Sequence, residues 1–252
     1  MELYLLCFFA FLAGFIDSIV GGGGLVQIPA FFVLYPQLSV PNVISTNRLA
    51  SAVGTGVAAI NYARNISIPW RTVLFAAAGA IPMSYLGATV QSLLPSEVLK
   101  PIILVLIVGI AVYTYRKKDF GQSDLLRIQP EQVKWVALGI GATLGFYNGF
   151  VGPGTGSLLV FGFVSGIGYS FLRASAVSKV VNVIADVSSL VFFLINKHVL
   201  FYLAIPMMIC NVAGSYTGSR MAVLRGNAFV RKVFLVVVGG IVIRFAWDVL
   251  QL

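Results

Sequence analysis

Histidine occurs once and cysteine twice in the 252 residues, too few for a metal-ligand cluster and too few for a framework of several disulfides. Acidic residues number eight against 17 Lys and Arg, and charged residues together make up only 10% of the chain, where soluble domains carry about 25%. So little charge cannot cover a water-facing surface. Hydrophobic residues reach 59%, and the class they define is an all-α integral membrane protein, because a chain crossing lipid must satisfy its own backbone. Paired chemistry is missing as well: the polar residues inside the apolar runs offer no general acid and base together, no activated nucleophile and no metal or other cofactor site. An enzyme is the weakest of the function classes.

What the chain does have is a series of apolar runs, at 43–62, 73–94, 102–115, 133–151, 174–195, 199–217 and 230–249, each about long enough for a ~30 Å hydrocarbon core. No stretch is left over for a soluble domain. The organisation reads as one membrane-integral unit: a first repeat at 1–115, a polar linker at 116–132 and a second repeat at 133–252. The first apolar segment, 2–19, lacks the basic n-region of a secretion signal and opens on Glu2, so it is expected to remain as a membrane helix. Cys7 and Cys210 both fall in apolar helix sequence and say little about redox compartment. The net charge of +9 comes from basic residues crowded into a few loops, with no stripe or aromatic-basic module. Positive-inside bias accounts for them better than nucleic acid does.

Twice, 131 residues apart, an apolar stretch breaks into glycine: GFIDSIVGGGGLVQIP from Gly14 and GFYNGFVGPGTGSLLVF from Gly145. Under the same ungapped shift Gly21, Gly23, Phe32, Ser39 and Gly109 meet identical residues, as do Asn65 with Asn196 and the Ser-Tyr-x-Gly blocks at Ser84 and Ser215. Matches between leucines or valines are cheap in apolar sequence, so the glycines and polar residues carry the repeat. Paired glycine breaks in corresponding positions of two halves point to a transporter's binding site, since unwound backbone survives at membrane depth only where it is buried or lines a cavity.

Each break divides about 30 residues, which as one helix would run ~45 Å, too long for a single crossing. Each is expected to be a hairpin, re-entrant or of two short helices, followed by three transmembrane helices, giving 8–10 helical segments in all. That odd count places Arg64, Arg71, Arg116, Lys117, Lys118, Arg127, Lys134, Arg173, Arg220, Arg225, Arg231 and Lys232 on one face, and little beyond Lys100 and Lys197 on the other. The halves are then two inverted-topology repeats, with the linker cytoplasmic and both termini outside a cytoplasmic (inner) membrane. The short helices from Gly23 and Gly154 would aim their N-termini at one another near the midplane, an anion site built from free N–H groups and helix dipoles.

Ionisable residues in apolar segments are costly unless paired or functional. Arg48 and Lys179 are equivalent under the shift, and two buried cations again suggest an anion. Asp17 and Asp186 are the acidic residues available to neutralise them or to carry a proton during transport. Arg244 and Asp248, one turn apart, are expected to form a local ion pair. The candidate substrate-binding set is Gly22, Gly23, Gly24, Asn47, Arg48, Asn148, Gly154, Thr155, Gly156, Ser157, Ser178, Lys179 and Asn182. Glycines that merely let helices pack closely are the plainer alternative. GPGTGS lacks the lysine of a phosphate-binding loop, and GGGGLV lacks the glycine spacing of a dinucleotide fold. His198, beside a loop, is read as a solvated interfacial residue, and the sequon at Asn65 falls on the cytoplasmic side.

The two breaks, each followed by a polar-basic block (STNR, then SK with Asn182 three residues on), resemble the TauE/SafE family of bacterial membrane transporters, the sulfite exporters, over nearly the whole chain. The resemblance implies carriage of small sulfur-containing anions such as sulfite, sulfoacetate or related organosulfonates across the cytoplasmic membrane, and a fold of about eight helices. An inside-negative potential of ~100 mV favours outward movement of one anionic charge by about 2.3 kcal/mol, so export by alternating access is the leading expectation. An anion channel and a proton-coupled importer of another small anion remain alternatives.

Overall fold

The computed structural model describes residues 1–95 and 126–250, and those residues are all-helical. Helix α1 (Glu2–Val20) is followed by a short α2 (Gly24–Leu34), then by α3 (Val40–Asn65) and α4 (Trp70–Leu93). The second half repeats the order. It has α5 (Val133–Phe150), a short α6 (Thr155–Gly162) closing in a π-helical turn at Phe163–Ile167, α7 (Phe171–Ile195) and α8 (Phe201–Leu250). Shifted by 131 residues, the bounds of α1, α2, α3 and α4 fall on those of α5, α6, α7 and the first part of α8. The shared signals explain why. Ser39 and its counterpart Ser170 are both N-caps, accepting from the N–H of Asn42 and Arg173 at 3.4 Å, and such a cap stabilises a helix start by about 1 kcal/mol.

Packing crosses between the halves. α1 lies on α8, its counterpart α5 lies on α4, and α3 packs against its own counterpart α7, an arrangement that places a pseudo-two-fold axis through the α3–α7 contact. Glycines let the backbones touch. A Cβ on Gly14 would strike the Asn211 carbonyl, and one on Gly145 would strike Ala80, the counterpart of Asn211. Gly87 against Phe146 and Gly218 against Phe15 repeat the relation. Small residues here serve close packing, as they do in membrane bundles.

Two apolar cores flank the axis. One gathers Ile66 and Ile68 from the α3–α4 turn with Ile128, Phe163, Ile167 and Tyr169. The other gathers Tyr35 and Leu38 from the α2–α3 turn with Leu6, Phe31, Leu94 and Leu200.

By length and composition three described helices can cross a membrane, α1, α4 and α7, while α2 and the α6 segment are shorter and apolar. Helix α3 has 26 residues, about 39 Å of helix, yet it is polar for a span. Its buried face carries Ser45, Thr46, Asn47, Arg48 and Thr55, so this helix sits inside the bundle and brings the polar site with it.

One expectation changes. Arg220 and Arg225 do not lie in a loop: α8 continues through both and breaks at Gly226, whose φ of 68° leaves the helical region. That break separates the runs at 199–217 and 230–249. His198 is half-buried, with its ring edge-on to Phe193 and the centroids 6.1 Å apart. The apolar run at 102–115, most of the linker, Lys100 and the side chains of Arg244 and Asp248 lie outside the described residues.

Candidate functional site

Both glycine breaks reverse the chain and meet each other. Gly21 and Gly22 take φ of 83° and 92°, and Gly152 and Gly154 take 88° and 83°, left-handed conformations that cost other L-residues roughly 1–2 kcal/mol. After the first break Gly23 lies back against Ala13 and Asp17 of α1. Gly21 backs onto Gly156, and Gly24 onto Pro153, so close that side chains at these positions would hold the two breaks apart.

A helix end exposes carbonyls that need partners, and the ends of α1 and α5 are capped by side chains from other elements. The Tyr62 hydroxyl donates to Ser18 O and Ile19 O at 3.1 and 3.4 Å, and Gln91 Nε2 donates to Phe150 O at 2.8 Å. Ser157 Oγ donates to Val20 O at 3.3 Å. The two cations complete the caps. Lys179 Nζ donates to the Asp17 carbonyl, and Arg48 Nη2 donates to the carbonyl of Asn148, the counterpart of Asp17. Each cation thus closes the helix end of the opposite repeat, where the helix dipole favours positive charge.

The carboxylates break the symmetry. Asp17 sits on α1, and its counterpart on α5 is the neutral Asn148; Asp186 sits on α7, and its counterpart on α3 is the neutral Thr55. Asp17 accepts from Thr55 Oγ1 at 3.0 Å and from the Gly23 N–H at 3.3 Å, with Lys179 Nζ at 3.5 Å. Asp186 accepts from Asn148 Nδ2 at 2.9 Å and Asn182 Nδ2 at 3.0 Å, with Arg48 Nε at 3.7 Å. Ser84 ties this cluster to α4, donating to Ala185 O at 2.7 Å. Each cation therefore has one carboxylate, and the four formal charges cancel.

A polar cavity of about 30 Å³ lies where these parts converge, lined by Asp17, Asn47, Arg48, Ser51, Asn148, Asn182 and Asp186 together with Gly24 and the break 152–156. That is room for roughly two water molecules. The walls include counterpart pairs, Asp17 with Asn148 and Ser51 with Asn182, so the cavity straddles the axis. Arg48 is 3% exposed, its guanidinium stands 5.5 Å from the Phe193 ring centroid, and its Nη1 has no hydrogen-bond partner among the described residues. Asn47 Oδ1 and its counterpart Ser178 Oγ are buried and unpartnered too. At the cavity edge α6 starts from Gly154 and α2 from Gly23, neither with a side-chain cap, and the Gly23 N–H donates to the Asp17 carboxylate. The two breaks touch through Gly21 with Gly156 and Gly24 with Pro153.

Of the residues singled out from sequence, Asp17, Gly24, Asn47, Arg48, Asn148, Gly154, Thr155, Gly156, Asn182 and Asp186 line this cavity. Gly22, Gly23, Ser157, Ser178 and Lys179 do not line it. Thr155 Oγ1 donates to Gly152 O at 2.6 Å, closing the turn instead of facing out as a free donor. Sequence reading missed Thr55, Ser51 and Ser84. The repeat held the signal for the first two, since Thr55 is the counterpart of Asp186 and Ser51 of Asn182. Among the described residues no group of three His, Cys, Asp or Glu is placed to hold a metal.

Comparison with known proteins agrees with this architecture. The model of the family described as "Sulfite exporter TauE/SafE" matches residues 6–245. The chain is 35% identical over 245 residues to "Probable membrane transporter protein ORF9" of Sinorhizobium sp, covering 95% of this chain and 90% of that one. It is 31% identical to "Probable membrane transporter protein YfcA" of Escherichia coli K12, covering 92% and 85%, and 28% identical to a "Probable membrane transporter protein" of Haemophilus influenzae, covering 90% and 87%. No solved structure matches.

Proposed function

The chain belongs to the TauE/SafE sulfite exporter family, and on that premise we propose that this multi-pass membrane transporter is a secondary carrier of small sulfur-containing anions, working by alternating access. It is not an enzyme. The observation that carries the substrate class is the buried Arg48 guanidinium, which lines the cavity with one nitrogen unpartnered, beside the uncapped start of α6. A planar cation with a free donor and a helix N-terminus both select oxyanions. The small cavity favours the least bulky members of the class, sulfite ahead of sulfoacetate. An anion that crosses alone is pushed outward by the membrane potential, and a co-transported charge would cancel that push.

Alternating access is supported by the repeat. The α2–α3 turn packs in one core and its counterpart, the α6–α7 turn, in the other, as inverted halves require. The end of the bundle with Arg64, Arg71, Lys134 and Arg173 is cytoplasmic by the positive-inside rule, which leaves the N-terminus outside the inner membrane. Reconstitution in proteoliposomes tests the carrier. Internal unlabelled sulfite, thiosulfate or methanesulfonate should accelerate entry of the same labelled anion. Entry that is unsaturable and indifferent to internal anion would mark a channel.

A further inference from the structure

A site with two cations and two carboxylates starts from zero net charge, and that balance decides what must travel with an anion. We propose that the chain carries one proton with each anion, bound on Asp186; this rests on the anion-carrier reading above. The two ion pairs are built differently. Asp17 is held from three elements, by Thr55, by the Gly23 N–H and by Lys179, whose ammonium also caps the α1 end. Asp186 has its cation at 3.7 Å, through Arg48 Nε, and its other partners are the neutral amides of Asn148 and Asn182. Arg48 lines the cavity and keeps one buried nitrogen, Nη1, without a hydrogen-bond partner among the described residues. An anion entering there competes with Asp186 for the guanidinium, and Asp186 is only 4% exposed.

A buried carboxylate that loses its cation is far costlier than the neutral acid. The cheaper course is for a hydronium ion on the open side to give its proton to one Asp186 oxygen, the hydronium O–H bond breaking as the carboxylic O–H bond forms and a water molecule leaving. The proton returns to water on the far side once the anion has left and Arg48 pairs with Asp186 again. The charged groups that act on Asp186 are Arg48 from α3, Asp17 from α1 and Lys179 on α7 itself. Helices α5 and α4 present only Asn148 and Ser84, and His198 reaches Phe193 but not the cavity. With a monovalent anion the loaded carrier then moves no net charge. The outward push of the potential disappears, and the anion and proton gradients set the direction.

The test uses the full chain in weakly buffered proteoliposomes with a pH dye, and methanesulfonate and thiosulfate as probes, since neither titrates near neutral pH. Counterflow of these and of sulfite is measured first. The expected result is about one proton entering per methanesulfonate, uptake of that probe indifferent to an imposed potassium diffusion potential, and accumulation rising about tenfold per unit of inward acid gradient. Asp186→Asn, checked for folding by gel filtration, should lose the anion-linked proton movement. Entry of either probe into wild-type vesicles without a pH change overturns the proposal, as does full proton movement in Asp186→Asn. Absence of counterflow with all three anions would instead remove the carrier reading on which it stands.

Discussion

Arg48 and Lys179 occupy equivalent positions and cap equivalent carbonyls, yet they do different work because a guanidinium has five donors and an ammonium three. Lys179 is consumed by the Asp17 carbonyl and carboxylate, whereas Arg48 satisfies Asn148 and still has Nη1 left over. Arg48→Lys should therefore fail to rescue transport: with the single donor centre drawn to the Asn148 carbonyl, anion affinity falls at least tenfold, as read in counterflow. Lys179→Ala acts on stability instead. It strips the half-buried Asp17 carboxylate of its cation, a loss below the roughly 3–5 kcal/mol of a fully buried pair, and should appear as a lowered melting temperature in detergent. The glycines divide in the same way. A side chain at Gly23 runs into the α1 backbone, while one at Gly154 meets only the Leu25 side chain, at 3.4 Å or more, beside the cavity. Gly23→Leu should melt much lower than wild type, and Gly154→Leu should lose more of the anion-induced rise in melting temperature, which scales as RT ln(1 + [L]/Kd). The cations, the acids and the glycines were all legible in the sequence as intramembrane oddities. Who pairs with whom was not, because each cation reaches across to the other repeat, and only the packing of α3 on α7 brings them there.

At the scale of elements, the apolar runs, glycine breaks and 131-residue period place the helices to within about three residues as far as α7 but end the next run at 217, where α8 continues to Gly226. What local chemistry cannot give is which helix lies on which. Cys7 and Cys210 lie far apart in sequence, yet the pairing of α1 with α8 sets their thiols side by side. Mild oxidation of the detergent-solubilised protein should therefore form an internal disulfide between them, detected as a faster-migrating band that reductant and Cys210→Ser both abolish. A failure to cross-link would contradict the α1–α8 contact. The polar α3 is the element that apolarity undervalues most. Its interior face serves the site rather than the lipid, so its hydropathy reports function and not depth.

For the molecule as a whole, the crossed packing of two repeats brings residues of both around one neutral, polar cavity. The proposed orientation of the bundle rests on the positive-inside rule. In a background of Cys7→Ser and Cys210→Ser, an impermeant thiol reagent on intact cells should label Gln37→Cys and leave Ser67→Cys unmodified until the membrane is broken. The reverse pattern would turn the molecule over. The central claim is that a small oxyanion binds at Arg48 beside the start of α6. Calorimetric titration of sulfite, thiosulfate and methanesulfonate into the purified protein, wild type against Arg48→Ala, tests it most directly. The account predicts saturable binding of at least one of them to the wild type and loss of tenfold or more in affinity in the variant, with both proteins monodisperse; equal affinity in the two, or no binding to either, would contradict it.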